Sequence, residues 1–155
     1  MINFRKAEIS DINSILNLNN DLCKFEMDEG FDNYIKDWSL SDESREYFLD
    51  LIKSHFVIVA EENEKIVGYL AGSINEEGAY SYYEGKTAEL QNMFIMPNYR
   101  KFGVGSKLIY EFENWSKENQ VKRMMVTASI DNEVAQRFYR KNGFKNINVT
   151  LKKEL

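Results

Sequence analysis

Arg100-Lys101-Phe102-Gly103-Val104-Gly105-Ser106 sets two cations and two glycines at a point where a strand pattern gives way to a helix pattern. Glycine tolerates positive φ and lets a ligand come close to main-chain N–H groups, and the first N–H groups of a helix lack internal partners. Those donors, the positive end of the helix dipole and the Arg100 and Lys101 side chains together form a seat for a phosphate. The ligand we read there is a pyrophosphate; the plainer alternative is a tight turn with solvated cations. Two common phosphate motifs are excluded, because a dinucleotide fingerprint needs a third glycine where Leu108 stands and a P-loop needs Gly-Lys-Ser/Thr.

The elements that must position this loop are legible on either side of it. Thr87 to Met96 holds a dense apolar run ended by Pro97, which reads as a buried strand. Val104, Leu108, Ile109, Phe112 and Trp115 then fall on one helical face, giving a helix to about Asn119. Upstream, Ile2 and Phe4 alternate as a first strand, and Ile12, Ile15, Leu16 and Leu22 mark a helix ending near Phe25, capped by Ser10 or Asp11. A second helix through Tyr47, Phe48, Leu51 and Ile52 is capped by Ser41 or Asp42. Phe56 to Ala60 and Ile66 to Ile74, joined by Glu61-Glu62-Asn63-Glu64-Lys65, form an antiparallel hairpin. Lys122 to Ser129 makes a fifth strand, parallel to the Thr87–Met96 strand because a helix separates them. A short helix capped by Asp131 or Asn132 and stopped by Gly143 leads to a last strand, Phe144 to Leu151.

Composition narrows the function classes. With 155 residues, 43% hydrophobic and 29% charged, and no linker-like tract, residues 1–155 read as a single domain. A net charge of -5 without a basic run disfavours nucleic acid, and no apolar run is long enough for a membrane span. A lone cysteine, Cys23, makes no internal disulfide and points to the cytoplasm. Cys23 and His55 together cannot build a metal site, and both read as packed side chains. The acidic stretch Glu26 to Asp32 is either a solvated loop or one wall of a site for a cationic acceptor. The loop from Asn75 to Lys86, with Tyr80, Tyr82, Tyr83 and Glu84, either helps to hold that acceptor or is a plain connection.

Asn132-Glu133-Val134-Ala135-Gln136-Arg137-Phe138-Tyr139-Arg140-Lys141-Asn142-Gly143-Phe144 follows the fifth strand. With Arg-x-x-Gly-x-Gly in the phosphate loop, this segment resembles the paired signatures of the GNAT superfamily of N-acetyltransferases. The resemblance covers nearly the whole chain. It implies the GNAT fold, an α/β (α+β) architecture whose central mixed, mostly antiparallel sheet has six to seven strands flanked by about four helices, with a splayed parallel strand pair. It implies acetyl-CoA as acyl donor, with no metal. Backbone groups of Phe94 and Ile95 would contact the pantetheine arm, and Arg100, Lys101, Phe102, Gly103, Val104, Gly105 and Ser106 would hold the pyrophosphate. Asn132 would reach the cofactor from the second signature, and Tyr139 is the candidate general acid.

Acetyl transfer to an amine needs a proton acceptor, since an alkyl amine is charged at pH 7. Glu89 is the candidate base, two residues from Gln91 and so on one face of a regular strand. In relatives resembling spermidine/spermine acetyltransferases a glutamate stands at the position aligned with Gln91, and an amide cannot take a proton. Glu89 could act through a water, or positioning of the reactants could carry the rate. The expected acceptor is a small cationic molecule such as a polyamine or an amino-sugar antibiotic. The alternatives are a protein or peptide amine, either α-amino or lysine, and a non-catalytic acyl-CoA-binding sensor. Paired subunits are common among proteins of this kind, so a homodimer is also in view.

Overall fold

Asn63 and Glu64 both take positive φ, +50° and +63°. Two such residues in succession are the hairpin turn whose twist matches that of its strands. In the computed structural model, which describes residues 1–31, 35, 37–76 and 83–155, this turn joins β2 (Phe56–Glu62) to β3 (Lys65–Asn75). β1 (Asn3–Lys6) adds to β2, β4 (Thr87–Ile95) adds to β3, and β5 (Arg123–Val126) adds to β4, giving the order β1-β2-β3-β4-β5. Every pairing is antiparallel except β4 with β5, which is parallel, as the intervening helix requires.

Among the described residues four α-helices cover the sheet. α1 (Ile12–Asp28) and α2 (Asp42–Ser54) precede β2, α3 (Val104–Glu118) links β4 to β5, and α4 (Glu133–Lys141) follows β5. The core divides by sheet face. Ile15 of α1 and Phe48 of α2 pack with Val59, Tyr69 and Phe94 on one face, while Leu108 and Phe112 of α3 pack with Val67, Leu70 and Leu90 on the other. Phe112 is fully buried against Gly72, where any Cβ would come within 2.5 Å of its ring. Truncating so enclosed an aromatic costs about 3–5 kcal/mol, so this contact fixes how α3 lies on the sheet. At the opposite edge, Arg5 pairs in bidentate fashion with Asp11 at 2.7 and 3.0 Å and also binds Glu61, tying β1 to the start of α1. The Arg5 guanidinium holds the Asp11 carboxyl below its ordinary pKa.

The caps follow the sequence where its chemistry was specific. Ser41 caps α2 by accepting from the Ser44 N–H at 3.1 Å, and Asn132 caps α4 by accepting from the Ala135 N–H at 3.0 Å. α1 opens differently, because a 3-10 turn at Ile9–Asp11 precedes it and commits the Asp11 carboxylate to Arg5 and to the Glu8 N–H.

Three expectations need correction. The described sheet has five strands rather than six to seven, since the chain from 144 to 151 pairs with nothing and its residues beyond Phe144 are exposed. β5 stops at Val126 instead of running to Ser129. α1 continues three residues past Phe25, because no breaker precedes Gly30, whose φ is +72°. Each difference bears on the site.

Candidate active site

β4 and β5 pair from Thr87–Arg123 to Leu90–Val126 and then part. The separation begins at a bulge: Ala71 faces Asn92 and Gly72 faces Leu90, so Gln91 is one residue too many for β3 to match. The bulge also reverses the strand's alternation. Ala88 and Leu90 pack under α3, and beyond Gln91 so do Met93 and Ile95, while Phe94 packs under α1 and α2. Between the diverging strands lies a cavity of about 230 Å³ lined by Gln91, Asn92 and Met93 on one side and Thr127, Ala128 and Ser129 on the other. Glu26 and Phe31 line its α1 end, and Tyr139 lines it from α4. Beyond Leu90 the β5-facing main chain of β4 has no sheet partner, so it is open to an extended ligand.

The mouth of α3 opens beside this wedge. Lys101 and Gly103 sit at φ +68° and +82°, the left-handed conformation that anion-binding turns of successive N–H groups use. No side chain caps the helix and no acidic residue occupies its first turn, which leaves the Val104, Gly105 and Ser106 N–H groups as donors for an anion. A Cβ on Gly103 would meet nothing within 4 Å, whereas one on Gly105 would lie 2.9 Å from the Phe138 ring and 3.0 Å from Ile95 Cδ1. The first glycine thus serves the turn, and the second serves close packing of α3 on β4 and α4. Lys101 and Phe102 are exposed at the loop's rim. Arg100 turns inward: its Nε donates to the Ile95 carbonyl at 2.8 Å, and its guanidinium lies 5.2 Å from the Phe94 ring and 5.7 Å from the Phe25 ring.

Tyr139 is held edge-on between Phe138 and Phe144, with ring centroids 5.4 and 5.6 Å away. Burial, aided by the charge of Glu26, pushes its hydroxyl up to about 12, so it keeps its proton at neutral pH. Gln91 donates to Ser73 Oγ at 3.1 Å, and Glu89 sits directly opposite Ser73 in the ladder, so the two do share a face. Glu89 accepts from Asn75 at 3.0 Å and stands behind the cavity wall that Gln91 forms. Asn92 donates to the Tyr47 hydroxyl at 3.1 Å, and Asn19 to that of Tyr69 at 3.1 Å, a polar layer beneath the wedge. Burial raises the Tyr47 hydroxyl above its ordinary pKa; the hydrogen bond from Asn92 opposes this and the charge of Glu89 adds to it.

Residues 18–144 match the Acetyltransferase (GNAT) family. The chain belongs to that family. It is 24% identical over 83 residues to an aminoglycoside N(6')-acetyltransferase type 1 of Acinetobacter baumannii, covering 54% of this chain and 57% of that one. The alignment thus spans little more than half of that curated relative. Among solved structures, a tetramutant of the BH1408 protein from Bacillus halodurans superposes with a TM-score of 0.86 at 20% identity, covering 99% of both chains. A predicted acetyltransferase from Clostridium acetobutylicum, solved with acetyl-CoA, superposes with a TM-score of 0.78 at 24% identity over 99% of this chain and 96% of that one.

Of the residues the GNAT resemblance singled out, Phe94, Ile95, Lys101, Phe102, Gly103, Val104, Gly105 and Ser106 lie along the wedge and the helix mouth. Arg100 locks the end of β4 and Asn132 caps α4, so part of each side chain's capacity is already used. Glu26 was legible only as part of an acidic run; the extra turn of α1 is what carries it to the wedge, together with Phe31. Asp28 and Glu29 are exposed and line no part of the cavity, and Asp32 lies outside the described residues, as do Tyr80 and Tyr82. Tyr83 stacks under the Arg123 guanidinium at 4.7 Å. Cys23 is buried beside Asn19, and His55 ends α2 with Asp50 at 3.6 Å. Among the described residues no helix is long and apolar enough to cross a membrane, and no cluster of three His, Cys, Asp or Glu could hold a metal.

Proposed function

We propose that this GNAT-family chain is an N-acetyltransferase that moves the acetyl group of acetyl-CoA to a primary amine of a small cationic molecule. The observation that carries the reading is the conjunction at Gln91: a parallel pair that parts at a bulge, with an uncapped helix mouth beside the gap. A pantetheine arm is extended and carries amides, so it suits the unpaired edge of β4 past Leu90. A diphosphate suits the N–H groups of Val104, Gly105 and Ser106 with Lys101 at the rim. When bound, acetyl-CoA supplies a thioester carbonyl open to attack.

The chain's own residues have three tasks. Main-chain N–H groups of β4 near Phe94 and Ile95 polarise the carbonyl oxygen, and the strand is already ordered, so little reorganisation is needed. Tyr139 gives its proton to the sulfur as the carbon–sulfur bond breaks. On the acceptor side Glu26 holds the ammonium by charge, and the amine's proton leaves through water toward Glu89 behind Gln91.

Glu26 in the wedge and the net charge of -5 favour a cationic acceptor. Likeness to an aminoglycoside acetyltransferase makes an amino sugar the first acceptor to try and a polyamine the second. This reading puts the enzyme in the cytoplasm. Thiol release from acetyl-CoA over a panel of amino sugars, polyamines and lysine peptides, beside calorimetry with coenzyme A, is the test. Release confined to peptides would move the acceptor to the protein class. Micromolar binding with no release for any amine would make the chain a sensor.

A further inference from the structure

Beyond Cys23 no side chain of α1 is buried, so the last turn of the helix, which carries Glu26, has no anchor in the core. That turn is bonded closely within itself. The Glu29 N–H donates to the Phe25 carbonyl at 3.0 Å, the Gly30 N–H to that of Met27 at 3.1 Å and the Phe31 N–H to that of Glu26 at 2.8 Å. The Phe31 ring meets the Phe25 ring edge-on, with centroids 6.0 Å apart. Residues 25–31 thus form one unit, and whatever holds Phe25 sets where Glu26 and Phe31 stand at the cavity.

Arg100 supplies that hold. Its guanidinium lies 5.7 Å from the Phe25 ring and 5.2 Å from the Phe94 ring, and its Nε donates to the Ile95 carbonyl at 2.8 Å. Phe94 belongs to the sheet face under α1 and α2, and α3 lies on the other. The side chain therefore reaches toward α1, away from the face on which the helix mouth opens. Burial holds its pKa below the ordinary arginine value, as for a cation drawn out of water against two rings. We propose that Arg100 is a positioning residue for the acceptor and no ligand of the pyrophosphate: it seats the last turn of α1 on the end of β4, so that Glu26 and Phe31 stand at the wedge. The proposal rests on the acetyl-transfer reading for its acceptor. By it, one residue of the donor loop fixes the wall against which the amine is held.

Arg100→Gln isolates the contact, because glutamine places its Nε2 where arginine has Nε, keeping the bond to Ile95 while deleting the cation over the rings. Thiol release from acetyl-CoA with kanamycin, an amino sugar, and spermidine, a polyamine, should show KM for the amine raised about tenfold, with kcat and calorimetric coenzyme A affinity within about twofold. Phe25→Leu should give the same rise, and the double variant no more than either alone, since residues acting through one contact do not add. Amide hydrogen exchange at 25–31 should quicken about tenfold in both single variants, with neither cofactor nor amine present. Should Arg100→Gln fail to fold, Phe25→Leu is read in its place. Coenzyme A affinity lowered about tenfold by Arg100→Gln with KM unmoved would return the side chain to the pyrophosphate. Effects that multiply in the double variant, or unchanged exchange at 25–31, would also overturn the proposal. If the unaltered chain released no thiol with any amine, the acetyl-transfer reading would fall, and exchange at 25–31 with coenzyme A affinity would decide the clamp by themselves.

Discussion

On the proposed function, the donor side of the wedge is made of main chain and the acceptor side of side chains. Along the donor side, the roles belong to N–H groups at the mouth of α3, to positive φ at Lys101 and Gly103, and to an unpaired stretch of β4. On the acceptor side, Glu26 of α1, Phe31 from the segment after it and Gln91 of β4 meet around the cavity. Backbone roles constrain local sequence to glycine and spacing, and so leave a motif. Side-chain roles constrain only where distant residues meet, and so leave none.

Tyr139→Phe tests the contrast most severely. It removes one proton donor from an otherwise intact site, and general acids contribute about 10²–10⁴-fold, so thiol release should fall by that range while coenzyme A affinity stays within about twofold. The same hydroxyl sets an alkaline limit. Its folded pKa of about 12 lies above the ordinary 10, so the stability it confers is present below pH 10 and lost as pH rises through 12. Between those values the native protein should lose more stability in denaturant titrations than Tyr139→Phe does.

Gly105→Ala strikes the donor side. The added methyl meets Phe138 and Ile95, and overpacking of this kind costs about 1–3 kcal/mol, expected as a lower urea midpoint and at least tenfold weaker coenzyme A binding by calorimetry. Glu26→Gln strikes the acceptor side, and losing one partly buried charge partner is expected to raise KM for a cationic amine about tenfold, roughly 1.4 kcal/mol, with coenzyme A binding unmoved. If Glu26→Gln weakened coenzyme A and spared KM, the division into two sides would fail. Asn132→Ala gives the smallest effect, a loss of about 1 kcal/mol from the α4 cap, seen in Tm. An equal loss of coenzyme A affinity would return Asn132 to the cofactor site.

The fold was legible wherever a local rule decided it. The hairpin at Asn63–Glu64, the Ser41 cap and the parallel crossover through α3 all follow from nearby residues. Within β4 neither glycine nor proline marks the bulge at Gln91, which arises from matching β3 to β4 over distance. The last strand was misread for a related reason: alternation at Ile147, Val149 and Leu151 reports a propensity to pair and says nothing of the partner's location. Of the acidic run, the added turn of α1 brings only Glu26 to the cavity lining among the described residues.

Gln91 lengthens β4 by one unit without changing which way its neighbours look relative to β3. Excising it would therefore leave Leu90, Asn92, Met93 and Phe94 in simple alternation, each on the side it now occupies. The gap between β4 and β5 is in this sense a single-codon insertion in an otherwise ordinary ladder, and deleting that codon should close it while sparing the interior.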